Sequence, residues 1–393
     1  MDSNDPRPLI AHVVHRFGVG GLENGVVNLI NRLPRERFRH AVVAMTEVGA
    51  FRERVRRDDV QFHELHKPPG QGLRIAPAFM RLMRSLRPAI VHTRNLGALE
   101  MALPATLSGV PVRVHGEHGW DSNDPDGRSL KCRLARRVYR PFVHRWVALS
   151  QHLRDYLVGA VGVPADRIER ICNGVDMLRF HPAGGAAREA IAGSPFDAPG
   201  WRVVGTVGRL APIKDQVLLA RAFARAHALD PLARERLRLV IAGDGPLRPA
   251  VEQALHEGGV TSAAWLAGER DDVPALLRGL DGFVLPSQAE GISNTILEAM
   301  ATRLPIIATA VGGNVELLEP GRTGVLVPAG DVEALAAALL ADLHEPDAAR
   351  RRATAAHAQA QQRYSLDAMV ANYGDMYQRL LDQAAQRGAL QRA

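Results

Sequence analysis

The stretch 283–313, FVLPSQAEGISNTILEAMATRLPIIATAVGG, constrains the fold more than any other part of the chain. Residues 283–285 are apolar and are closed by Pro286-Ser287, which reads as a short buried strand. Ser293 or Asn294 then caps a helix carrying Ile296, Leu297 and Met300 on one side. Residues 305–308 form a second apolar strand, and Gly312-Gly313 closes the unit. A strand, a helix and another strand at this spacing form a parallel βαβ unit, because a helical crossover brings the chain back in the same direction. Two carboxylates frame the turn: Glu290 lies in it and Glu298 lies about one turn into the helix. A helix N-terminus at the carboxyl end of a parallel strand favours anions. Carboxylates beside it suit the hydroxyls of a sugar or ribose. A salt-bridged surface loop is the alternative reading of the pair.

The same alternation runs through the whole chain. Residues 9–14 form an apolar strand, followed by Gly18-Val19-Gly20-Gly21 and a helix with Val26, Val27, Leu29 and Ile30 near one face. The glycine loop is not GxGxxG, so a dinucleotide site is not supported. Further strands are read at 41–45, 60–65, 88–92, 110–115 and 147–150. Residues 51–59 read as a charged surface helix, and 96–107 as another helix. Residues 181–200 are rich in Gly, Ala and Pro with little apolar periodicity, and are read as a linker. The pattern then restarts with strands at 203–207, 237–242, 264–267 and 325–327 around the opening stretch. At 393 residues the chain suits two domains. The expected division is an N-terminal Rossmann-like domain over 1–181, a linker over 182–200, a C-terminal Rossmann-like domain over 201–365, and a terminal helix over 366–393 that packs back.

The two cysteines, Cys132 and Cys172, lack CxxC spacing, which argues against a disulfide framework and suits a reducing cytoplasm. The opening residues MDSNDPRPLI lack a basic segment followed by an apolar one, so no signal peptide is expected. No apolar run approaches the roughly 18–20 residues that span a bilayer. The net charge of +7 is carried almost wholly by arginine and favours anionic partners. Arg133, Arg136, Arg137 and Arg140 cluster in the stretch 130–146 with Tyr139, Phe142 and Trp146. That segment suits an anionic membrane surface or an acceptor phosphate; a solvated helix face is the alternative. Nucleic acid is disfavoured, since no recognition module accompanies the charge.

Three strand ends of the second half offer complementary chemistry. Arg209 and Lys214 share one loop and can clamp a diphosphate, the first as a fork and the second as a mobile point charge. Glu290 and Glu298 offer acceptors, and the helix after Ser293 offers backbone N–H groups. There is no HExxH pair for a divalent metal, so phosphate charge falls to Arg, Lys and the helix end, and no metal or cofactor is expected.

Gly208-Arg209-Leu210 with Lys214, Gly243-x-Gly245-Pro246, Pro286-Ser287-x-x-Glu290-Gly291 with Glu298, and Gly312-Gly313-x-x-Glu316 together resemble family 4 of the glycosyltransferases. Gly20-Gly21-x-Glu23, His118 and Asn173-Gly174-Val175-Asp176 resemble it too. The resemblance implies an α/β chain of GT-B fold, with two Rossmann-like domains facing a cleft and a C-terminal helix crossing back. It implies retaining, metal-independent transfer from a nucleotide-diphospho-sugar to a glycan or lipid-linked acceptor. On the matching positions, Arg209 and Lys214 would bind the diphosphate and Glu298 the ribose. Glu290 would bind sugar hydroxyls near the anomeric carbon, and Gly291, Ile292, Ser293 and Asn294 would meet the phosphates or sugar. Gly268 would flank the base, Gly21 would line the cleft, and His118 would contact the donor sugar, with His115 as its competitor. Asp215 stands where the family often has Gly, which predicts a reshaped loop. The HGEHGW stretch most resembles transferases of bacterial exopolysaccharide systems, working in the cytoplasm or peripherally on the inner membrane face. A GT-B nucleotide-sugar epimerase and a non-catalytic nucleotide-sugar or anionic-surface binding protein are the competing readings.

Overall fold

A computed structural model describes residues 5–18, 20–119, 124, 127–185 and 188–390; Val19 of the glycine loop and Trp120 lie outside them. Two compact units form, one from 1–174 and 366–393, the other from 175–365. Each is a parallel sheet covered by helices.

The first unit contains β1 (Leu9–Val14), β2 (Arg39–Ala44), β3 (Gln61–Glu64), β4 (Ile90–Arg94), β5 (Val112–Glu117), β6 (Arg145–Ala148) and β7 (Ile168–Arg170). They lie in the order β3-β2-β1-β4-β5-β6-β7, every pair parallel. One core has Phe79 and Met83 of helix Ala76–Leu86 against Ala11, Val43 and Val91. Another has Tyr373, Met376 and Tyr377 of the terminal helix Leu366–Leu390 against Ile10, Ile90 and Val114.

The second unit contains β8 (Arg202–Val207), β9 (Leu237–Ala242), β10 (Ala264–Gly268), β11 (Gly282–Leu285), β12 (Ile306–Thr309) and β13 (Val325–Val327). Their order is β10-β9-β8-β11-β12-β13, again all parallel. In both sheets the chain first winds outward one way and then the other. The reversal falls between β1 and β4 in the first sheet and between β8 and β11 in the second. Loops leaving the carboxyl ends of the two central strands diverge there, which opens the crevice where open α/β sheets take ligands.

Three expectations are corrected. Residues 51–59 are not a helix: a 3-10 turn spans Ala50–Arg54 and the chain then extends. Phe51 is buried, and the Arg57 guanidinium donates to Asp59 and the Phe38 carbonyl, which holds the segment against its neighbours. Residues 96–107 form two helices, Leu96–Leu99 and Ala102–Leu107. Pro104 has no N–H to continue a ladder from Glu100. The 182–200 segment is part of the second unit rather than a free linker. Ile191 and Phe196 are buried, and Glu189 pairs with Arg278 at 2.8 Å. Sparse apolar residues without periodicity still anchor a chain when each fills its own niche.

Candidate functional site

At the β8/β11 reversal two loops meet. The loop after β8 carries Arg209, Lys214 and Asp215, and that after β11 carries Ser287, Gln288 and Glu290. Lys214 Nζ donates to Glu290 Oε1 at 2.6 Å, and Ser287 Oγ donates to the same oxygen at 2.6 Å. The Glu290 side chain is 8% exposed against 31% for Lys214, so the carboxylate is the anchored member and the ammonium the accessible one. Arg209 is exposed, and no carboxylate pairs with it among the described residues. Its carbonyl accepts from Gln216 Nε2 at 3.1 Å, which fixes the backbone and leaves the guanidinium to solvent.

Asp215 occupies the left-handed region, φ 47° and ψ 46°, a conformation that favours glycine. Its carboxylate makes two ties. One oxygen accepts from Leu218 N at 3.2 Å, capping helix Gln216–Leu229, and the other accepts from Gln288 Nε2. Gln288 N in turn donates to Ile213 O at 2.8 Å. The two loops are thus joined through Gln288 as well as through Lys214.

Behind Glu290 lies a second layer that motif reading left without a role. A Cβ on Gly312, whose φ is 48°, would lie 1.8 Å from Glu290 O; one on Gly313 would lie 1.9 Å from Gly291 O. Only a glycine pair lets this backbone lie against the turn. Thr309 Oγ1 donates to Ser287 O at 2.6 Å, and Asn314 Nδ2 donates to Thr309 O at 3.0 Å. The Gly-Gly in the sequence was the signal for this support; Thr309 and Asn314 gave none.

Ser293 caps helix Asn294–Ala301, its Oγ accepting from Ile296 N at 3.3 Å, while Ile296, Leu297 and Met300 are buried. Ile292 is buried beside the turn. Burial pushes the Glu298 carboxyl up to about 7, with Arg179 opposing the shift. Gly268, φ 69°, ends β10; its carbonyl accepts from Gly243 N at 2.7 Å, and the side where a Cβ would sit is open.

In the first unit, Gly21 begins helix Gly21–Arg32 beside the β1/β4 reversal. His115 is fully buried, edge-on to Trp146 at 4.8 Å and hydrogen-bonded to Thr93 at 2.8 Å. His118 is held by its backbone N–H, which donates to Asn95 Oδ1 at 2.7 Å. Its Nε2 is buried over Gly116, where a Cβ would lie only 2.5 Å away. Burial, helped by the Arg94 charge, lowers its pKa to about 3, so the ring is neutral at ordinary pH. The basic cluster expected over 133–140 is divided. Arg136 is buried and pairs bidentately with Glu117, at 2.6 and 3.1 Å. Arg133, Arg137 and Arg140 donate to the carbonyls of Gly127, Ala160 and Gly162 and stay at or near the surface.

Two family models match the chain. The model described as Glycosyltransferase Family 4 matches residues 19–179, and that described as Glycosyl transferases group 1 matches 201–345. A GDP-mannose-dependent alpha-mannosyltransferase of Mycobacterium tuberculosis (strain CDC 1551 / Oshkosh) is 30% identical over 331 residues, 80% of this chain and 82% of the relative. A UDP-Gal:alpha-D-GlcNAc-diphosphoundecaprenol alpha-1,3-galactosyltransferase of Escherichia coli is 31% identical over 269 residues, 66% of this chain and 67% of the relative. EpsF of Bacillus subtilis (strain 168) is 27% identical over 325 residues, 78% and 80% of the two chains. Among solved structures, Anabaena Alr3699/HepE in complex with UDP superposes with a TM-score of 0.77 at 21% identity, covering 93% of this chain and 98% of that one. A glycosyltransferase from Rickettsia africae ESF-5 superposes with a TM-score of 0.80 at 20% identity, covering 96% and 99%. These likenesses give the fold as GT-B, and with two matched models and a 30% identical relative along most of its length, the chain is a glycosyltransferase of family 4.

Proposed function

We propose that the chain transfers a sugar, with retention at the anomeric carbon and without a metal ion, from a nucleoside-diphosphate sugar to a lipid-linked or oligosaccharide acceptor. The observation that carries this reading is the meeting of Lys214 and Glu290 at the β8/β11 reversal. Lys214 and the exposed Arg209 would bind the donor diphosphate and neutralise the charge that grows on it as the sugar–oxygen bond breaks. The N-terminus of helix Asn294–Ala301 adds its positive pole on the same side. Glu290 would accept from sugar hydroxyls near the anomeric carbon. Glu298 would accept from the ribose. The acceptor hydroxyl attacks that carbon as the nucleoside diphosphate leaves, and its proton passes to an oxygen of the departing phosphate. The resemblance of the HGEHGW region to exopolysaccharide transferases and the undecaprenol-linked acceptor named for the Escherichia coli relative support a cell-surface polysaccharide acceptor. No helix among the described residues is long and apolar enough to cross a membrane. A lipid-linked acceptor would be met from a peripheral position on the bilayer.

The test is a donor screen with UDP- and GDP-sugars, with and without EDTA, followed by mass spectrometry and NMR of the product. An α-linked product from an α-configured donor, formed equally well in EDTA, is expected. Loss of activity in EDTA sinks metal independence. An inverted linkage sinks retention, and donor epimerised in the absence of acceptor sinks transfer itself.

A further inference from the structure

Helix Leu130–Tyr139 turns its apolar side outward. Leu130, Leu134 and Val138 are 78%, 62% and 54% exposed. Their spacing of four residues places them in a line along one face. On an ordinary surface helix this stripe would be the buried one. Here the buried position is Arg136, held inward by Glu117, so the helix is anchored by its ion pair and its leucines are left to solvent.

The charges around the stripe are of one sign. Exposed Lys131 and Arg137 sit three residues before and after Leu134, about 60° to either side of it on a helical projection. Arg128 is exposed just before the helix. Arg133 and Arg140 lie farther round; they and Arg137 bond carbonyls, Arg137 through Nε and Nη2 to Ala160 O with Nη1 left over. No carboxylate pairs with any of these five cations among the described residues. An apolar line rimmed by long basic side chains matches the boundary of an anionic bilayer, where acyl chains take the leucines and lipid phosphates take the cations. A second copy of the same face fits poorly, because two-fold pairing would set Lys131 and Arg137 against like charges.

We propose that Leu130, Lys131, Leu134, Arg137 and Val138 form a bilayer-docking face that seats the protein on anionic lipid. The proposal rests on the peripheral placement inferred above and gives it a surface; it does not depend on which donor or acceptor is used.

The experiment is flotation of the full chain with phosphatidylcholine vesicles, with and without phosphatidylglycerol. Binding only to the anionic vesicles is expected. The triple variant Leu130→Ser, Leu134→Ser, Val138→Ser is expected to lower the bound fraction relative to free at least about tenfold, with circular dichroism unchanged. A separate Leu134→Trp variant is expected to shift its emission to the blue on anionic vesicles. Binding of UDP- and GDP-sugars in lipid-free solution is followed in parallel by calorimetry, so failure of docking and failure of the donor-site reading are separate results. The proposal is overturned by wild-type protein that does not float, or by a triple variant that floats as wild type does. Emission of Leu134→Trp that does not move on bound vesicles also overturns it. So does a lipid-free dimer that the triple variant dissolves, since the occupant would then be a second copy.

Discussion

Lys214 Nζ lies 2.6 Å from Glu290 Oε1, so the residue proposed for the diphosphate and the one proposed for the sugar are direct partners. The ammonium keeps two further N–H donors for phosphate while it holds Glu290, and the carboxylate keeps its other oxygen for sugar hydroxyls. Removal of either is expected to lower kcat/KM by about a hundred- to a thousandfold. Because the two act as one unit, the double variant Lys214→Ala, Glu290→Gln should fall well short of the product of the single effects. Steady-state kinetics on the three variants checks this; full additivity would mean that the pair is not coupled.

Asp215 is expected to matter through its cap and its tie to Gln288. Asp215→Gly keeps the backbone conformation and loses both bonds, but it also removes a Cβ from the left-handed region, so its stability should stay within about 1 kcal/mol of wild type. Asp215→Ala loses the same bonds while keeping a Cβ there, costing about 1 kcal/mol. Of the three proteins, Asp215→Ala should therefore have the lowest melting temperature. Gln288→Ala should raise the donor KM with little change in melting temperature, because its side chain ties the loops but caps nothing.

Glu298 sets a pH dependence whose sign can be worked out. Its carboxyl is raised from an ordinary 4.5 to about 7, so the folded chain holds a proton that the unfolded chain has released. Stability from this group falls as pH rises from about 4.5 through 7. Donor affinity runs the opposite way, because ribose hydroxyls donate to the ionised form. Donor Kd is expected to tighten roughly tenfold between pH 6 and pH 8, as the ionised fraction rises about tenfold across a pKa near 7. Calorimetry at the two pH values checks it, and Glu298→Gln should bind weakly at both.

Glu117 and Arg136 carry a prediction about stability alone. Glu117→Gln leaves a buried guanidinium without its counter-charge and should cost about 3–5 kcal/mol by chemical denaturation. Hydrogen bonds from His115 and Arg136 outweigh burial and hold the Glu117 carboxyl at about 2. Its stabilisation is present above about 4.5 and is lost as pH falls toward 2.

Particular residues show how far the chain could be read in advance. The βα alternation was legible because a buried parallel strand needs a continuous apolar run and its crossover needs a helical period. The family was legible because Gly243, Gly245, Gly312 and Gly313 answer to close backbone contacts that tolerate no side chain. A Cβ on Gly243 would sit 2.1 Å from Gly208 O, and one on Gly245 2.5 Å from Leu210 O. The helix expected over 51–59 failed where Arg57 found carbonyl and carboxylate partners brought by other segments. The linker expected over 182–200 failed because Ile191 and Phe196 are buried singly, which leaves no period to detect.

The alternation that builds two parallel sheets, and the glycine and charge spacing that marks the family, are written in the chain itself. Which charge meets which is settled only when the strands pack. Lys214 and Glu290 are 76 residues apart and become partners because β8 and β11 are neighbours in the sheet. Helix Leu130–Tyr139 shows the same limit. Helical period tells which residues share a face but not which face is inside. Glu117, arriving on β5, draws Arg136 inward and leaves Leu130, Leu134 and Val138 on the outside.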